Sequence, residues 1–300
     1  MSMGKLQWTD EDFEVLNRCP WDGADATHAE FLYRDDVGCE IVRCPSCGVT
    51  YARKRLNAHG LPKYWGDYLS RVHIHDSKLT EQRNRMYQID YDFSHLYVPS
   101  GRVLDVGCGN GSFMDVYLAH GYDVSGVEYG KEAAEVASEH HRVRYGVFSE
   151  MDFGEEKFDL VIFRGVLQYI PDPKSYLRKA ASLLKKSDTS NRGGCLFVTA
   201  QPNMDAFVAR LFGGQFGLRV TGADLIGYTE PVLTQYLTSE KIGMRKVGER
   251  YFYEETPYAD VENDILRVAD AIREHRAGEA VTGHSPAFWG NMMTLMYEKV

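Results

Sequence analysis

Nowhere in the chain do eighteen apolar residues follow one another, which excludes a conventional membrane-spanning helix. The opening segment MSMGKLQWTDEDFEVL lacks both the basic stretch and the apolar run of a secretory signal, so a cytoplasmic protein is expected. Positive charge is also short: 34 Lys and Arg face 43 Asp and Glu, a formal net charge of -9. That balance repels a phosphate backbone and disfavours nucleic acid as a partner unless a local basic patch exists. Six cysteines in 300 residues serve such a chain better as metal ligands and core fillers than as a disulfide framework. There is no internal repeat and no low-complexity linker; SDTSNRGG, residues 187–194, reads as a loose turn.

What is present is an ordinary globular mix, 44% apolar and 26% charged, enough for one large domain and a small appendage. From Cys19 to about Arg55 the chain has cysteine pairs and short β-type runs, and residues 1–56 are expected to form a separate small unit. Residues 57–100 are rich in Tyr, His and Arg, with helical spacing in LTEQRNRMYQIDYDF, and read as a helical lid or linker. From residue 101 to 300 strands and helices alternate, beginning with VLDV, a helix from Ser112 to His120, DVSGVE, KEAAEVASEHH and VRYGV, and ending on NMMTLMYEKV. Alternation of this kind predicts an α/β, doubly wound, Rossmann-like sheet of seven mostly parallel strands. In PDPKSYLRKA, Asp172 precedes Pro173 at a helix start, and Leu177, Ala181 and Leu184 then share one face.

VLDVGCGNGSF carries the strongest signal. A dinucleotide fingerprint needs G-x-G-x-x-G or A, whereas Gly107, Gly109 and Gly111 are spaced G-x-G-x-G and Ser112 follows. Asp105 ends the first strand two residues before the first glycine. A carboxylate about 6 Å from a pyrophosphate would cost about 3 kcal/mol at an effective dielectric of about 20. A cationic ligand reverses that sign, and S-adenosylmethionine (SAM) carries a sulfonium and an ammonium group. Glu128 ends the next strand, where a doubly wound sheet delivers a carboxylate to ribose hydroxyls.

In these residues the chain resembles the class I SAM-dependent methyltransferases. VLDVGCGNGSF matches their first motif, GVEYG the acidic second, FDLVIFRGVLQYIPDP the fourth-strand region, and LLKKSDTSNRGGCLFVTAQPN a later segment interrupted by an insertion. The resemblance implies that Asp105 and Gly107 face the methionyl end in a cofactor-binding turn that includes Gly109 and Gly111, that Glu128 takes the ribose diol and that Tyr129 takes one adenine face. It further implies that Val147 and Phe148 reach the adenine from the other side, that Arg164 and Gly165 line the methyl-transfer face, and that Tyr68 closes over the cofactor. Cys108 reads as a small filler.

At the front, CPWDG (19–23) and CPSCG (44–48) look like two turns of a zinc ribbon, the first missing a cysteine. A closed structural zinc site takes four ligands: Cys19, Cys44 and Cys47 supply three, and Asp22 stands in the place of the fourth. Cys39 and His28 are rivals, although in CEIVRC strand alternation points Cys39 away from Cys44. Such a ribbon resembles the front of a subset of bacterial sugar-modifying and small-molecule methyltransferases.

Methyl transfer is an in-line displacement governed by alignment, and an alcohol acceptor gains from a base. The N/D-P-P-Y element of enzymes that methylate nucleic-acid amines is absent; FRGVLQY stands there. Relatives often carry histidine at the position of Tyr169, which leaves Tyr169 as a catalytic candidate beside His73 and His75 in RVHIHD. GGQFGLRVTGADLIGYTE has the glycine and aromatic content of a substrate loop, and His284 is a further possibility. The expectation is methyl transfer from SAM to an oxygen of a small polar acceptor, a sugar or saccharide intermediate, with a structural zinc. The rivals are an RNA-modifying enzyme docking through the ribbon and a non-catalytic partner-binding protein that keeps the fold.

Overall fold

The computed structural model of the protein describes residues 6–66, 77–187 and 192–300. Short strands come first: β1 (Phe13–Val15), β2 (Glu30–Arg34), β3 (Glu40–Arg43), β4 (Thr50–Ala52) and β5 (Lys54–Leu56). Helices α1 (Gly60–Gly66) and α2 (Ser77–His95) then lead to β6 (Arg102–Val106). Alternation follows through α3 (Ser112–Ala119), β7 (Asp123–Glu128), α4 (Lys131–Ser138), β8 (Arg142–Tyr145), β9 (Leu160–Arg164), α5 (Pro173–Leu183) and β10 (Cys195–Pro202). The chain closes with α6 (Phe207–Phe212), β11 (Ile226–Gly227), α7 (Glu230–Leu237), β12 (Met244–Arg250), α8 (Val261–Arg276) and β13 (Met292–Lys299).

The seven-stranded sheet has the order β12-β13-β10-β9-β6-β7-β8. Its strands β6 to β10 run parallel, and β13 is antiparallel to both neighbours. The apolar run of β9 and the first half of β10 are buried, as helices on both faces of a parallel sheet require. Helix α5 starts as its sequence predicts: the Asp172 carboxylate accepts the Ser175 N–H at 3.2 Å, with Pro173 in the first turn. Chain order reverses between β6 and β9, and that switch point opens a crevice at the carboxyl ends of the strands. Among the described residues no helix is long and apolar enough to cross a membrane.

The small N-terminal sheet takes a strand from the far end of the chain, which the sequence does not announce. β2, β3 and β4 form an antiparallel meander, and the two-residue β11 adds to its edge through Ile226 opposite Tyr51 and Gly227 opposite Thr50. Neighbouring backbone extends the seam: the Ala52 N–H donates to the Leu225 carbonyl at 3.0 Å and the Leu56 N–H to the Gly222 carbonyl at 2.8 Å. The Gly222 N–H donates to the Asp35 carboxylate at 2.7 Å. Gly227 has to be glycine, since a Cβ there would lie 2.5 Å from Met204 Cγ. Trp21 packs edge-on against Tyr228 and Tyr236 at 5.5 and 5.3 Å, and Ala223, Leu225, Ile226 and Tyr228 share one core with the N-terminal unit.

Helix α2 is fixed by charge. Asp90, 0% exposed, accepts from Arg164 Nε at 2.8 Å and from the Thr199 hydroxyl at 2.7 Å, and Thr199 meets the Thr294 hydroxyl at 2.9 Å. The guanidinium of Arg164 also lies 4.4 Å from the Tyr87 ring centroid. Burial alone would lower the Arg164 pKa, but attraction to Asp90 and Tyr87 outweighs it and raises it. One ion pair thus ties α2 to β9, β10 and β13. Removing one partner of a buried pair costs about 3–5 kcal/mol. Arg164→Met should therefore lower unfolding free energy in chemical denaturation by about 3 kcal/mol, and adding Asp90→Leu should restore most of it.

Candidate functional site

The turn after β6 is built for close approach. Gly107, Gly109 and Gly111 have φ of +78°, +57° and +88°, which side-chain-bearing residues rarely adopt. At Gly107 a Cβ would lie 2.6 Å from Val166, and at Gly111 it would lie 2.8 Å from His141; at Gly109 it would meet nothing within 4 Å. The middle glycine therefore faces open space. Val127 accepts the N–H groups of Gly107 and Cys108 at 2.7 and 3.1 Å. Glu128 accepts from the Gly109 N–H at 2.8 Å with one carboxylate oxygen and from the Gly130 N–H at 2.6 Å with the other.

This turn borders a cavity of about 350 Å³. Asp105, Gly107 and Gly109 line it, with Arg164 from the end of β9 and Gly165 and Tyr169 from the segment after it. Helix α2 contributes Arg83 and Tyr87, and the segment before β11 contributes Arg219, Thr221 and Asp224. Two carboxylates are concentrated beside the turn. Asp105 is 3% exposed, and its Oδ1 has no hydrogen-bond partner. Burial pushes its carboxyl up to about 7, against the attraction of Arg164 and with the repulsion of Glu128 adding to it. Burial also raises Glu128, although the N–H groups of Gly130, Gly109 and Tyr129 oppose this. An orphaned acidic oxygen beside an open glycine suits a ligand with positive charge and room for backbone contact, which SAM offers.

Asp105, Gly107, Gly109, Arg164, Gly165 and Tyr169 thus meet at one cavity. Glu128 braces the turn, Gly111 packs on His141, and Val147 is half-buried. Tyr129 is 39% exposed. Phe148 departs from expectation: its ring is 1% exposed and packs against Phe153, Phe163 and Tyr176, so it is spent in the core and presents no face to an adenine. Tyr68, His73 and His75 lie outside the described residues, and His284 is exposed on a loop. Sequence reasoning missed Arg83 and Tyr87, although with Asp90 they recur at i, i+4 and i+7 on one helical face. It also missed Trp65, whose ring stands edge-on to Tyr169 at 4.7 Å, and Gln168, whose buried Oε1 has no partner. Burial raises the Cys108 thiol, as befits a protonated filler.

A second cluster sits in the N-terminal unit. One ligand atom from each of Cys19, Asp22, Cys44 and Cys47 lies within 4.8 Å of all the others. The two turns are built alike. Gly23 donates to the Cys19 carbonyl at 3.0 Å, as Gly48 does to Cys44 at 2.9 Å; Cys19 donates to Ala24 at 2.8 Å, as Cys44 does to Val49 at 2.9 Å. Asp22 therefore occupies in one turn the place that Cys47 occupies in the other. Cys19 and Cys47 sulfurs are 3.7 Å apart, and Zn–S bonds of about 2.3 Å set a tetrahedral edge at about 3.8 Å. The donor set fits zinc. Cys39 lies outside the cluster at the β2–β3 turn, its N–H bonded to Asp35 at 2.8 Å and its thiol pushed up to about 12 by burial.

Residues 71–213 match the family described as "Methyltransferase domain". Among curated proteins the chain is similar to a ubiquinone biosynthesis O-methyltransferase of Xanthomonas campestris pv. campestris (strain B100), at 32% identity over 157 residues. That match takes in 50% of this chain and 60% of the relative's length. Among solved structures it is similar to the Burkholderia thailandensis 1,6-didemethyltoxoflavin-N1-methyltransferase, with a TM-score of 0.50, 20% identity, and 91% of this chain and 100% of that one covered. Magnesium protoporphyrin IX methyltransferase of Synechocystis PCC 6803 gives 0.51 at 15% identity, covering 80% and 98%. Both were solved with S-adenosylhomocysteine bound. At these identities the two structures establish the fold, that of class I SAM-dependent methyltransferases.

The state of Asp105 makes a test. Burial raises its carboxyl to about 7, so a cation binds best once it has ionised. SAM affinity in calorimetry should rise as pH climbs through about 7, by up to about tenfold per unit below that point. Asp105→Asn should weaken binding and flatten the dependence while leaving the melting temperature within a few degrees.

Proposed function

We propose that the protein transfers a methyl group from SAM to an oxygen of a small polar acceptor, with a sugar or saccharide intermediate as that acceptor. The observation that carries this reading is the unpartnered Asp105 oxygen beside an open glycine turn, in a cavity whose wall is more polar than apolar. The O-methyltransferase named among the relatives supports oxygen as the receiving atom. Gln168, Tyr169, Arg219, Thr221 and Asp224 offer hydrogen bonds in several directions, which suits an acceptor with several hydroxyls better than an apolar one. When bound, SAM supplies an electrophilic methyl on a positively charged sulfur. The chain's part is to hold that sulfur near Asp105 and to align the acceptor with the methyl.

The same reading gives the N-terminal unit a structural zinc held by Cys19, Asp22, Cys44 and Cys47. Four ligands close the site and leave no position for substrate. Its contribution is to fold a unit too small to hold itself together, and through β4 to support β11.

Two measurements test these readings. Incubation with SAM and a panel of nucleotide sugars, free sugars and phenols should give a mass gain of about 14 Da on an oxygen-bearing acceptor; gain on amines alone would sink the oxygen assignment. Native mass spectrometry should find one zinc per chain, retained in Cys39→Ala and Asp22→Cys and lost in Cys47→Ala. Chelation should speed amide exchange in residues 219–228 along with the ribbon. Retention of zinc in Cys47→Ala would refute the ligand set.

A further inference from the structure

The segment before β11 closes on itself around one carboxylate. The Thr221 N–H donates to the Asp224 carbonyl at 3.0 Å, and the Asp224 N–H donates back to Thr221 Oγ1 at 2.9 Å. The Thr221 hydroxyl donates to Asp224 Oδ2 at 2.8 Å. From the turn after β9, Tyr169 faces the same carboxylate and favours its ionised form. Thr221, Asp224 and Tyr169 all line the cavity that Asp105 and the glycine turn border. Arg219 attracts Asp224 but is paired with Asp36 at 3.2 Å. Among the described residues, Tyr169, Arg219 and, from β2, Tyr33 act on or are acted on by Asp224, and the Asp35 carboxylate stands nearby on the Gly222 N–H. Burial raises the Asp224 carboxyl, while Thr221, Tyr169 and Arg219 oppose this.

No histidine stands among the described residues of the cavity wall. Of its two carboxylates, Asp105 adjoins the turn and suits the cationic ligand, which leaves Asp224. We propose that Asp224 is the general base of methyl transfer and that Tyr169 holds its carboxylate in position; this rests on the oxygen-acceptor reading above. The acceptor hydroxyl gives its proton to the Asp224 carboxylate while its oxygen forms a C–O bond to the methyl carbon of SAM. The bond from sulfur to methyl breaks, and its electron pair stays on sulfur as the neutral thioether of S-adenosylhomocysteine. The proton on Asp224 then passes to solvent. The N-terminal unit sets the position of this base. Gly222 is held through its N–H by Asp35 and through its carbonyl by Leu56, and the Leu225 carbonyl by Ala52.

The test compares wild type, Asp224→Asn and Tyr169→Phe with SAM and the same acceptor panel over about pH 5 to 10, with S-adenosylhomocysteine affinity measured by calorimetry. In Asp224→Asn, kcat should fall by about 100-fold or more, while S-adenosylhomocysteine affinity stays within about twofold. In Tyr169→Phe the carboxylate loses a hydroxyl that favours its ionised form, so the acidic limb of the rate profile should move to higher pH with a several-fold loss of kcat. Activity of Asp224→Asn within about threefold of wild type, or a parallel loss of S-adenosylhomocysteine binding, would overturn the proposal. Should Asp224→Asn fail to fold, an unmoved profile in Tyr169→Phe overturns it alone. Wild type decides the underlying reading: if it methylates no oxygen in the panel, the acceptor assignment falls and takes the base with it.

Discussion

A carboxylate sealed from bulk water at the tip of β6 is the constraint around which the rest is arranged. Asp105 keeps one oxygen without a partner, and the cation that attracts it, Arg164, is already committed to Asp90. An ionised group left in that state costs several kcal/mol, and a protein answers either by protonating it or by admitting a counter-charge. A ligand bearing positive sulfur completes the electrostatics of the site. The glycine turn follows from the same need, since backbone at Gly107 and Gly109 has to come close enough for the ligand to reach the acid. Glu128, spent on bracing that turn through Gly109 and Gly130, keeps the geometry from collapsing.

The cavity has two origins. Its cofactor side lies within residues 71–213, the stretch shared with other methyltransferase domains. Its remaining wall, Gly217 to Asp224, begins just past that stretch and is knitted to the N-terminal sheet through Leu56, Ala52 and Asp35. A stretch shared with other methyltransferase domains and a segment beyond it thus line one pocket, the second on the side assigned above to the proposed acceptor. On this view the cysteine-bearing unit acts indirectly, through the strand it presents to β11.

Much of this was legible in the sequence. The alternation from β6 onward, the Asp172 cap and the glycine turn are local signals, each contained in about a dozen residues, and periodicity and turn chemistry report them directly. The likeness of CPWDG to CPSCG placed Asp22 beside three cysteines before any coordinates did. What escaped was non-local. β11 has two residues and no pattern of its own; it exists because β4 offers an edge. Phe148 looked available because it follows a strand end, yet packing with Phe153, Phe163 and Tyr176 claimed it. Asp224 lay in the segment read as a substrate loop but was not singled out within it, because the group that acts on it, Tyr169, stands 55 positions earlier in the chain.

The seam at β11 limits how this chain can be taken apart. Cutting before residue 57 looks harmless on a linear map, since every cofactor-side motif lies downstream. Yet the excised piece would carry a bare strand edge at Ile226 and Gly227 and an uncovered Tyr228, an invitation to self-association. For anyone grafting this catalytic half onto another scaffold, the front unit is a component to be carried along.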